Sequence, residues 1–174
     1  MTRIVTSIQL TTAFDPRNPP TPPPTSISAS ALWDTGATGS SITPSVAREL
    51  GLTPIGARMV NHAGGSSLSN TYLVNLHLPN GVGIVGVPVT ELGETTLFGV
   101  IVGMDIIIRG DFAITNTNGQ TWVSFRVPSI QGIDYVQEAQ KIRYAGVGRN
   151  DPCPCGKTDA IGKPIKFKKC HGRR

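Results

Sequence analysis

The chain has 174 residues, and 39% of them are hydrophobic, which is enough for one modest domain with an apolar core and an appendage. Its 20 glycines and 14 prolines favour turns and short strands over long helices. No stretch approaches the ~20 apolar residues of a membrane span, and the start lacks the apolar segment of a secretory signal. We therefore expect a cytoplasmic protein that does not contact a membrane.

The net charge of +5 comes from the C-terminal end of the chain. Residues 1–140 carry six Lys and Arg against nine Asp and Glu, whereas residues 141–174 carry ten against two. All three cysteines also lie in this basic end. An odd, clustered set of cysteines in a chain without a signal peptide argues against disulfides.

The first predicted elements are two strands joined by a stiff loop. β-branched residues at 4–10 and apolar residues at 28–33 predict the strands. Between them, residues 15–24 contain six prolines, which predicts a semi-rigid surface loop. A docking segment for a proline-reading partner is the alternative interpretation.

A short helix is predicted at 44–50, because Thr43 suits the N-cap, Pro44 the first helical position and Gly51 the C-terminal stop. Residues 133–144 have an apolar side chain at every third position, which is compatible with a linker helix. Further strands, joined by glycine-containing turns, are predicted at 58–61, 71–78, 82–89, 97–102, 112–115 and 121–127.

This order of elements predicts a mainly β fold with one or two short helices and a small barrel-like closure. We assign the main domain to residues 1–130, a linker that is predicted to be helical to 131–147, and a cysteine-containing tail to 148–174.

The most informative motif surrounds Asp34. Three apolar residues precede this acid, and a tight Thr35-Gly36 turn follows it. A carboxylate at the end of a buried strand is held rigidly, partly desolvated and close to backbone N–H groups, which suits an acid that shares a proton near neutral pH. Alternatively, Asp34 is a turn residue that caps its own backbone.

Three stretches together resemble the retropepsin-like aspartic proteases, the family of the retroviral proteases and their bacterial and cellular relatives. They are Ala31-Leu32-Trp33-Asp34-Thr35-Gly36-Ala37-Thr38, Val60-Asn61-His62-Ala63-Gly64-Gly65-Ser66 and Phe98-Gly99-Val100-Ile101-Val102-Gly103-Met104-Asp105. The similarity spans roughly residues 1–128, and the order and spacing of the stretches are specific. It implies a small closed acid-protease barrel and an aspartic endopeptidase that needs no cofactor for catalysis.

The resemblance further implies a half-enzyme that is completed in a homodimer. Each copy would supply one Asp34, and the two carboxylates, about 3 Å apart, would share one proton. The ionised acid would activate a water, and the protonated acid would donate to the scissile carbonyl of an extended peptide or protein substrate. Thr35 would hydrogen-bond across the two-fold axis, and Gly36 would let its backbone approach the carboxylates.

Ala37 carries an expectation about pH. A Ser or Thr at this position could donate a hydrogen bond that favours the charged form of the acid pair, whereas Ala cannot. We therefore expect a working pH that is mildly acidic to neutral, and a pH–rate maximum below about 4 would contradict this.

Other residues of the first domain receive roles from the same resemblance. The hairpin tip formed by His62, Ala63, Gly64 and Gly65 would be a mobile flap that closes over the substrate. An ordinary hairpin turn is the alternative interpretation. Asp105 would be a structural acid or cap at the start of a short helix, rather than a second catalytic acid, and Asp111 a turn residue.

The tail offers four metal ligands: Cys153, Cys155, Cys170 and His171. Cys₃His is a closed tetrahedral zinc set, so a structural Zn²⁺ is expected and no position stays open for water chemistry. The run Asn150-Asp151-Pro152-Cys153-Pro154-Cys155-Gly156 resembles the SEC-C motif, the zinc-binding tail of the bacterial preprotein translocase ATPase and of other bacterial proteins. A disordered basic tail with idle thiols is the alternative.

Two further functions stay open beside the protease. The chain is alternatively a catalytically inactive peptide-binding or dimerisation adaptor with a zinc-binding tail, or a zinc-dependent nucleic-acid binder. The basic tail would suit an acidic protein surface or a ribosomal partner.

Overall fold

The computed structural model describes residues 3–62 and 64–172, and the chain divides into two compact units, Met1–Gln131 and Gly132–Arg174. Within these described residues, no helix has the length and apolar composition that are needed to cross a membrane. Each unit is described by itself below.

A closed ring of strands forms the first unit. Strands pair in the order β1-β2-β7-β3-β6-β5-β4, and an additional antiparallel pairing of β1 with β5 closes the ring, so that β4 extends from β5 outside it. The predicted barrel closure is therefore confirmed. The seven strands are β1 (Val5–Thr12), β2 (Ser26–Trp33), β3 (Ser41–Ile42), β4 (Gly56–His62), β5 (Gly65–His77), β6 (Gly83–Glu91) and β7 (Val100–Val102).

Alternation of apolar and polar residues in these strands places one face of each strand in a single core. The side chains that are almost completely buried come from most elements of the barrel, because a closed sheet leaves its inner face no access to water. The largest of them are Ile8, Leu10, Ile42, Leu76, Ile106, Val74, Val87, Val89, Val100 and Val102.

One buried polar residue, Asn75, fills an irregularity in the sheet. The register between β5 and β6 shifts between Val74 and Leu76. The side-chain amide of Asn75 donates to the carbonyl of Phe14 at 2.9 Å, and its oxygen accepts from the N–H of Gly86 at 2.9 Å. The bulge is therefore closed without an unpaired amide group.

The first helix confirms its predicted signals. Helix α1 covers Pro44–Glu49, Thr43 is its N-cap, and the backbone leaves the helix through Gly51 with φ of 63°. Glu94 accepts from the N–H of Ser45 at 3.2 Å and from its hydroxyl at 2.7 Å, which places a carboxylate at the N-terminus of the helix.

The predicted strand at 97–102 was too long, because only Val100–Val102 is a strand and Leu97 is exposed. Gly99 lies where a Cβ would come within 2.8 Å of Val46, so the chain bends there before it enters the sheet. After β7, a short helix α2 (Met104–Ile107) begins at Gly103.

A separate hairpin ends the first unit. Strands β8 (Asp111–Thr117) and β9 (Gln120–Arg126) are joined by a two-residue turn in which Asn118 and Gly119 both have positive φ, 52° and 75°. These are the angles of the turn that suits the twist of a hairpin. Phe112 and Phe125 face each other across it and pack on Trp33, with ring centroids 5.3 and 5.1 Å away.

The second unit contains a helix and a small knuckle. Helix α3 covers Tyr135–Arg143, and the side chain of Asp134 caps it by accepting from the N–H groups of Val136 and Gln137 at 2.9 and 3.0 Å. None of its residues is buried. The knuckle has isolated bridges between Pro152 and Lys166 and between Thr158 and Pro164, and a single 3₁₀ turn at Phe167–Lys169.

Together, these elements confirm the predicted fold class. The chain is mainly β, it contains a small closed barrel with short helices, and it ends in a cysteine- and histidine-containing knuckle.

Candidate active site and metal centre

Asp34 lies at the point where a central strand leaves the barrel. It directly follows β2, and its N–H donates to the carbonyl of Val102 at 3.0 Å, so β2 and β7 hold the start of the loop together. The N–H of Ala37 returns to the carbonyl of Asp34 at 3.2 Å and closes the turn. As a whole residue, Asp34 is half-buried. The backbone on both sides of this acid is therefore fixed.

Gly36 holds the carboxylate directly. Its N–H donates to Oδ1 of Asp34 at 2.8 Å, and a Cβ on Gly36 would lie 3.2 Å from the same oxygen, closer than an ordinary contact. Thr35, between them, is exposed. Glycine at position 36 thus permits the close approach of backbone and carboxylate that the motif predicted.

The segment that follows β7 supports the Asp34 loop through backbone hydrogen bonds, and we call this contact the brace. The N–H of Met104 donates to the carbonyl of Ala37 at 2.8 Å, and the N–H of Asp105 to that of Thr38 at 3.2 Å. A Cβ on Gly103 would lie 2.6 Å from the carbonyl carbon and oxygen of Gly39, so only glycine fits there. The loop and the start of α2 therefore pack backbone to backbone.

Ser40 connects the same two segments through its side chain. Its buried hydroxyl donates to Oδ1 of Asp105 at 2.8 Å and accepts from the N–H of Gly103 at 3.1 Å. Asp105 therefore lies at the start of a short helix and serves structure, as expected. Sequence reasoning gave no role to Ser40 and quoted Gly103 without one, because their bond joins positions 63 residues apart.

A cleft of about 490 Å³ opens beside the carboxyl group of Asp34. Its walls come from the start of the chain, the end of β2 and the distal part of the β8–β9 hairpin. The lining residues are Arg3, Ile4, Leu32, Trp33, Asp34, Ile114, Asn116 and Thr121. The indole of Trp33 is fixed at the base of this cleft because its Nε1–H donates to the Thr6 hydroxyl at 2.9 Å.

The predicted flap is a long hairpin. β4 and β5 pair from Gly56 opposite Thr71 to His62 opposite Gly65, and Gly65 has φ of 124°, a value that favours glycine. Ala63 lies outside the described residues, as does the side chain of His62. The described residues that line the cleft beside Asp34 come from other elements, so the role of this hairpin as a flap stays a prediction.

Asp111 differs from its prediction as a turn residue. It is the first residue of β8. Its carboxylate accepts hydrogen bonds from the end of β9 and the segment after it: from Arg126 Nε at 2.7 Å, from the N–H of Ile130 at 3.0 Å and from the Ser129 hydroxyl. The N–H of Ile130, then Ser129 and Arg126, hold the pKa of Asp111 well below its usual range. These partners lie 15 to 19 residues away in the sequence, so local turn signals cannot reveal this role.

The four predicted metal ligands do converge. Their ligand atoms all lie within 4.8 Å of one another. Nδ1 of His171 is 3.2 Å from Sγ of Cys153 and 3.4 Å from Sγ of Cys170, and Sγ of Cys155 is 3.6 Å from that of Cys170. The Cys-Pro-Cys turn brings the first two thiols together through the bond from the N–H of Gly156 to the carbonyl of Cys153.

These distances fit a tetrahedral zinc ion. Zinc bonds of about 2.3 Å to sulfur and about 2.0 Å to nitrogen imply separations of about 3.8 Å between sulfurs and about 3.5 Å between sulfur and nitrogen. The ligand atoms are already arranged at close to these separations. Four protein ligands complete the coordination, so the group is suited to a structural ion rather than a catalytic one.

The charge state of the thiols also suits a cation. Burial raises the pKa of Cys153, but hydrogen bonds from the backbone of Cys155 and from the side chain of His171 outweigh it and lower this pKa to about 6. Burial and the neighbouring Cys155 and Cys153 side chains raise the pKa of Cys170 to about 11. Three thiolates at these distances repel one another strongly unless a cation lies among them.

Two solved structures are similar to this chain. The retroviral protease-like domain of Ddi1 from Leishmania major is 17% identical, with 57% of this chain and 86% of that chain covered at a TM-score of 0.36. A retropepsin-like aspartic protease from Rickettsia conorii is 16% identical, with 72% and 97% covered at 0.39. Because both TM-scores are below 0.5, the fold assignment rests on the sheet topology described above.

A curated relative matches a smaller part of the chain. The protein translocase subunit SecA of a Nocardioides species is 46% identical over 57 residues, which are 30% of this chain and 5% of SecA. The chain therefore spans only about one twentieth of the length of that relative. This match and the Cys₃His group are compatible with a SEC-C zinc motif.

The sequence model of a family described as aspartyl protease matches residues 26–106. This stretch begins with β2, includes the Asp34 loop and the β4–β5 hairpin, and ends in α2, so it contains the loop and its brace together. The predicted resemblance is thereby confirmed over these residues, which are similar in sequence to the aspartyl protease family.

Proposed function

We propose that the chain is an aspartic endopeptidase that acts as a homodimer through two Asp34 carboxylates. The observation that supports this most is the position of Asp34: half-buried at the end of a central strand, bonded to the N–H of Gly36, and open to a cleft. The similarity of residues 26–106 to the aspartyl protease family also supports this proposal.

The proposed need for a second copy follows from the other acids of the barrel. Asp105 accepts the Ser40 hydroxyl inside the brace, and Asp111 is held by Arg126 and the segment after β9. Neither lines the cleft beside Asp34. Asp34 is the one acid among the described residues that line this cleft, and we propose that a second copy supplies the other carboxylate and contacts the exposed Thr35.

In the proposed reaction, the two carboxylates share one proton because two negative charges about 3 Å apart are costly. The ionised acid takes a proton from a water, whose oxygen bonds to the scissile carbonyl carbon, while the other acid protonates the carbonyl oxygen. The resulting gem-diol collapses as the C–N bond breaks and the leaving nitrogen is protonated by the dyad. The β4–β5 hairpin, with its tip at 62–65, would close over an extended peptide and exclude water.

Asp34→Asn tests this proposal against the adaptor alternative. We expect cleavage of a denatured peptide library to fall by at least about 100-fold, because an amide cannot act as general base. Dimerisation and metal content should stay unchanged, and Asp15→Asn, on an exposed loop, serves as the control. Undiminished cleavage by Asp34→Asn would show that another group is responsible. A dimer of the unchanged chain that binds peptides without cleaving them would favour the adaptor.

We further propose that Cys153, Cys155, Cys170 and His171 hold a structural Zn²⁺. Among the described residues 132–172, Cys153 is the one buried hydrophobic side chain, so a bound ion would supply a cross-link that replaces an apolar core. Metal analysis of the purified chain should find about one zinc per copy, and Cys155→Ser should lose it. Zinc content that is the same in Cys155→Ser would exclude this site.

The basic residues of the second unit support a proposal about partners. Residues 132–174 carry ten Lys and Arg against four Asp and Glu, which would suit an acidic protein surface or a ribosomal partner. Deletion of 146–174 should then remove a captured partner, and an unchanged set of captured proteins would contradict the proposal.

A further inference from the structure

Helix α3 has little stability of its own. It has nine residues, whereas isolated helices shorter than about 12–15 residues are marginal in water. All residues from 132 to 146 are exposed except Tyr144, which is half-buried. Apart from its Asp134 cap, the helix therefore depends on whatever holds Tyr144.

Tyr144 connects the helix to the metal-binding knuckle. It is the C-cap residue of α3, and its N–H donates to the carbonyl of Gln140 at 3.0 Å. Its ring stacks on the imidazole of His171, with a centroid separation of 5.1 Å and an interplanar angle of 27°. It also meets the ring of Phe167 at 5.2 Å, and the guanidinium of Arg143 lies 5.8 Å from its centre on the ring face.

The partners of Tyr144 are themselves fixed within the knuckle. The N–H of Phe167 donates to the carbonyl of Asp151 at 2.8 Å. The N–H of Gly172 donates to the carbonyl of Phe167 at 2.8 Å, and a Cβ on Gly172 would lie 2.7 Å from the Phe167 ring. The residue after His171 is thus held close to the ring of Phe167, which leaves the imidazole between the thiols and Tyr144.

We infer that Tyr144 is a positioning residue for His171, and that through it metal binding and the folding of α3 stabilise each other. The inference rests on the metal site proposed above. A histidine ligand binds only when its nitrogen points at the ion, and groups outside the ligand set that fix its ring strengthen binding. The aromatic face of Tyr144 restrains the imidazole of His171, whose Nδ1 faces the sulfurs of Cys153 and Cys170.

This coupling has to be reciprocal. If the stacked ring raises metal affinity, then the bound metal must stabilise the stacked arrangement and the helix turn that carries it. The groove between α3 and His171, which Gln140 and Arg143 also line, would be populated more when the metal is bound. The exposed apolar side chains of α3 are thereby presented in a metal-dependent way.

The test uses the full chain and Zn²⁺ as the probe. Zinc affinity is measured by competition with a chromophoric chelator, for the unchanged chain and for Tyr144→Ala, Tyr144→Phe and Ile142→Ala. We expect Tyr144→Ala to bind zinc about three- to tenfold more weakly, the effect of losing one aromatic pair. Tyr144→Phe, which keeps the ring, and Ile142→Ala, which shortens an exposed side chain of α3 outside the groove, should bind within about twofold of the unchanged chain.

A second measurement follows α3 itself. Amide hydrogen exchange of residues 138–144 should accelerate when zinc is removed from the unchanged chain, while exchange in the barrel stays constant and shows that the fold is intact. Exchange in α3 that is the same with and without zinc would overturn the inference, as would equal zinc affinities of Tyr144→Ala and the unchanged chain. If the unchanged chain binds no zinc, the metal site itself is wrong, which is a distinct result.

Discussion

Gly103 determines how closely the loop that carries Asp34 is supported. Its missing side chain lets α2 begin against the carbonyl groups of Gly39 and Ala37, because a Cβ at position 103 would lie only 2.6 and 3.0 Å from their oxygens. These are backbone atoms, which cannot move away from a new Cβ by changing rotamer as a flexible side chain can. Any side chain at this position must therefore push the loop away from β7, and Asp34 moves with it.

Gly103→Ala should consequently reduce peptide cleavage by about tenfold or more, because a displacement of about 1 Å in a catalytic group costs up to 10²-fold. We expect the barrel to remain folded, as judged by its circular dichroism. Gly93→Ala, where a Cβ would meet nothing within 4 Å, is the matched control and should retain activity. Full activity of Gly103→Ala would show that the brace does not position Asp34.

Ala37 provides a second test at the level of one side chain. Its N–H is already bonded to the carbonyl of Asp34 at 3.2 Å, so a hydroxyl at this position would lie in the same turn. Ala37→Ser should shift the acidic limb of the pH–rate profile downward by about one unit, since a hydrogen bond to a charged group favours ionisation by that order. Ala37→Gly, which adds no donor, should leave the limb in place. An unchanged or raised limb in Ala37→Ser would contradict the assigned role.

At the level of elements, the β8–β9 hairpin forms one wall of the cleft and is anchored at its open end, away from the turn at 118–119. Its two phenylalanines hold it against Trp33, and Asp111 ties its base to the segment after β9. Asp111 has a depressed pKa in the folded chain, so its contribution to stability is present above the unfolded value of about 3.9 and is lost as pH falls toward the folded value.

Asp111→Asn should therefore destabilise the chain at pH 7 and make its thermal midpoint less dependent on pH below about 4. Thermal unfolding at several pH values between about 2 and 7 measures both effects. Asp15→Asn, which removes an exposed carboxyl paired with Arg17, is the control and should change the midpoint little, since solvent screens such pairs. A midpoint of Asp111→Asn that follows the unchanged chain at all pH values would refute this account of the hairpin base.

Local signals in the sequence predicted most of these elements. The α1 helix has its N-cap, proline and glycine in the positions that such helices require, and the Asn118-Gly119 turn has the angles that a hairpin needs. Errors arose where distant parts of the chain decide. The strand begins only at Val100, next to Gly99, where a Cβ would lie 2.8 Å from Val46, and Asp111 is bonded to Arg126, Ser129 and Ile130. Neither contact has a local signature.

The site was predictable to a similar extent. The Asp34 motif is contiguous and the four metal ligands form two close pairs, so both can be recognised from residue types alone. The brace of Ser40 and Gly103 joins positions 63 residues apart, and the stacking of Tyr144 on His171 joins positions that only the folded knuckle brings together. For the proposed flap, the sequence predicted the hairpin that β4 and β5 form, and its closure over a substrate stays a prediction.

At the level of the whole molecule, the chain combines a barrel with one candidate catalytic acid and a compact cysteine-containing unit. The first requires a second copy for the proposed chemistry, whereas the second is complete in one chain once an ion is bound. Proteolysis and metal binding should therefore respond to different variables, the former to protein concentration and the latter to chelators.

The requirement for two copies is tested most directly by mixing subunits. The unchanged chain and Asp34→Asn are combined in equal amounts at constant total concentration, allowed to exchange, and assayed for peptide cleavage. If each active centre needs Asp34 from both copies, only about one quarter of the dimers are intact, so activity should fall to about one quarter of that of the unchanged chain. Activity of about one half would show that each chain works alone and would contradict the account.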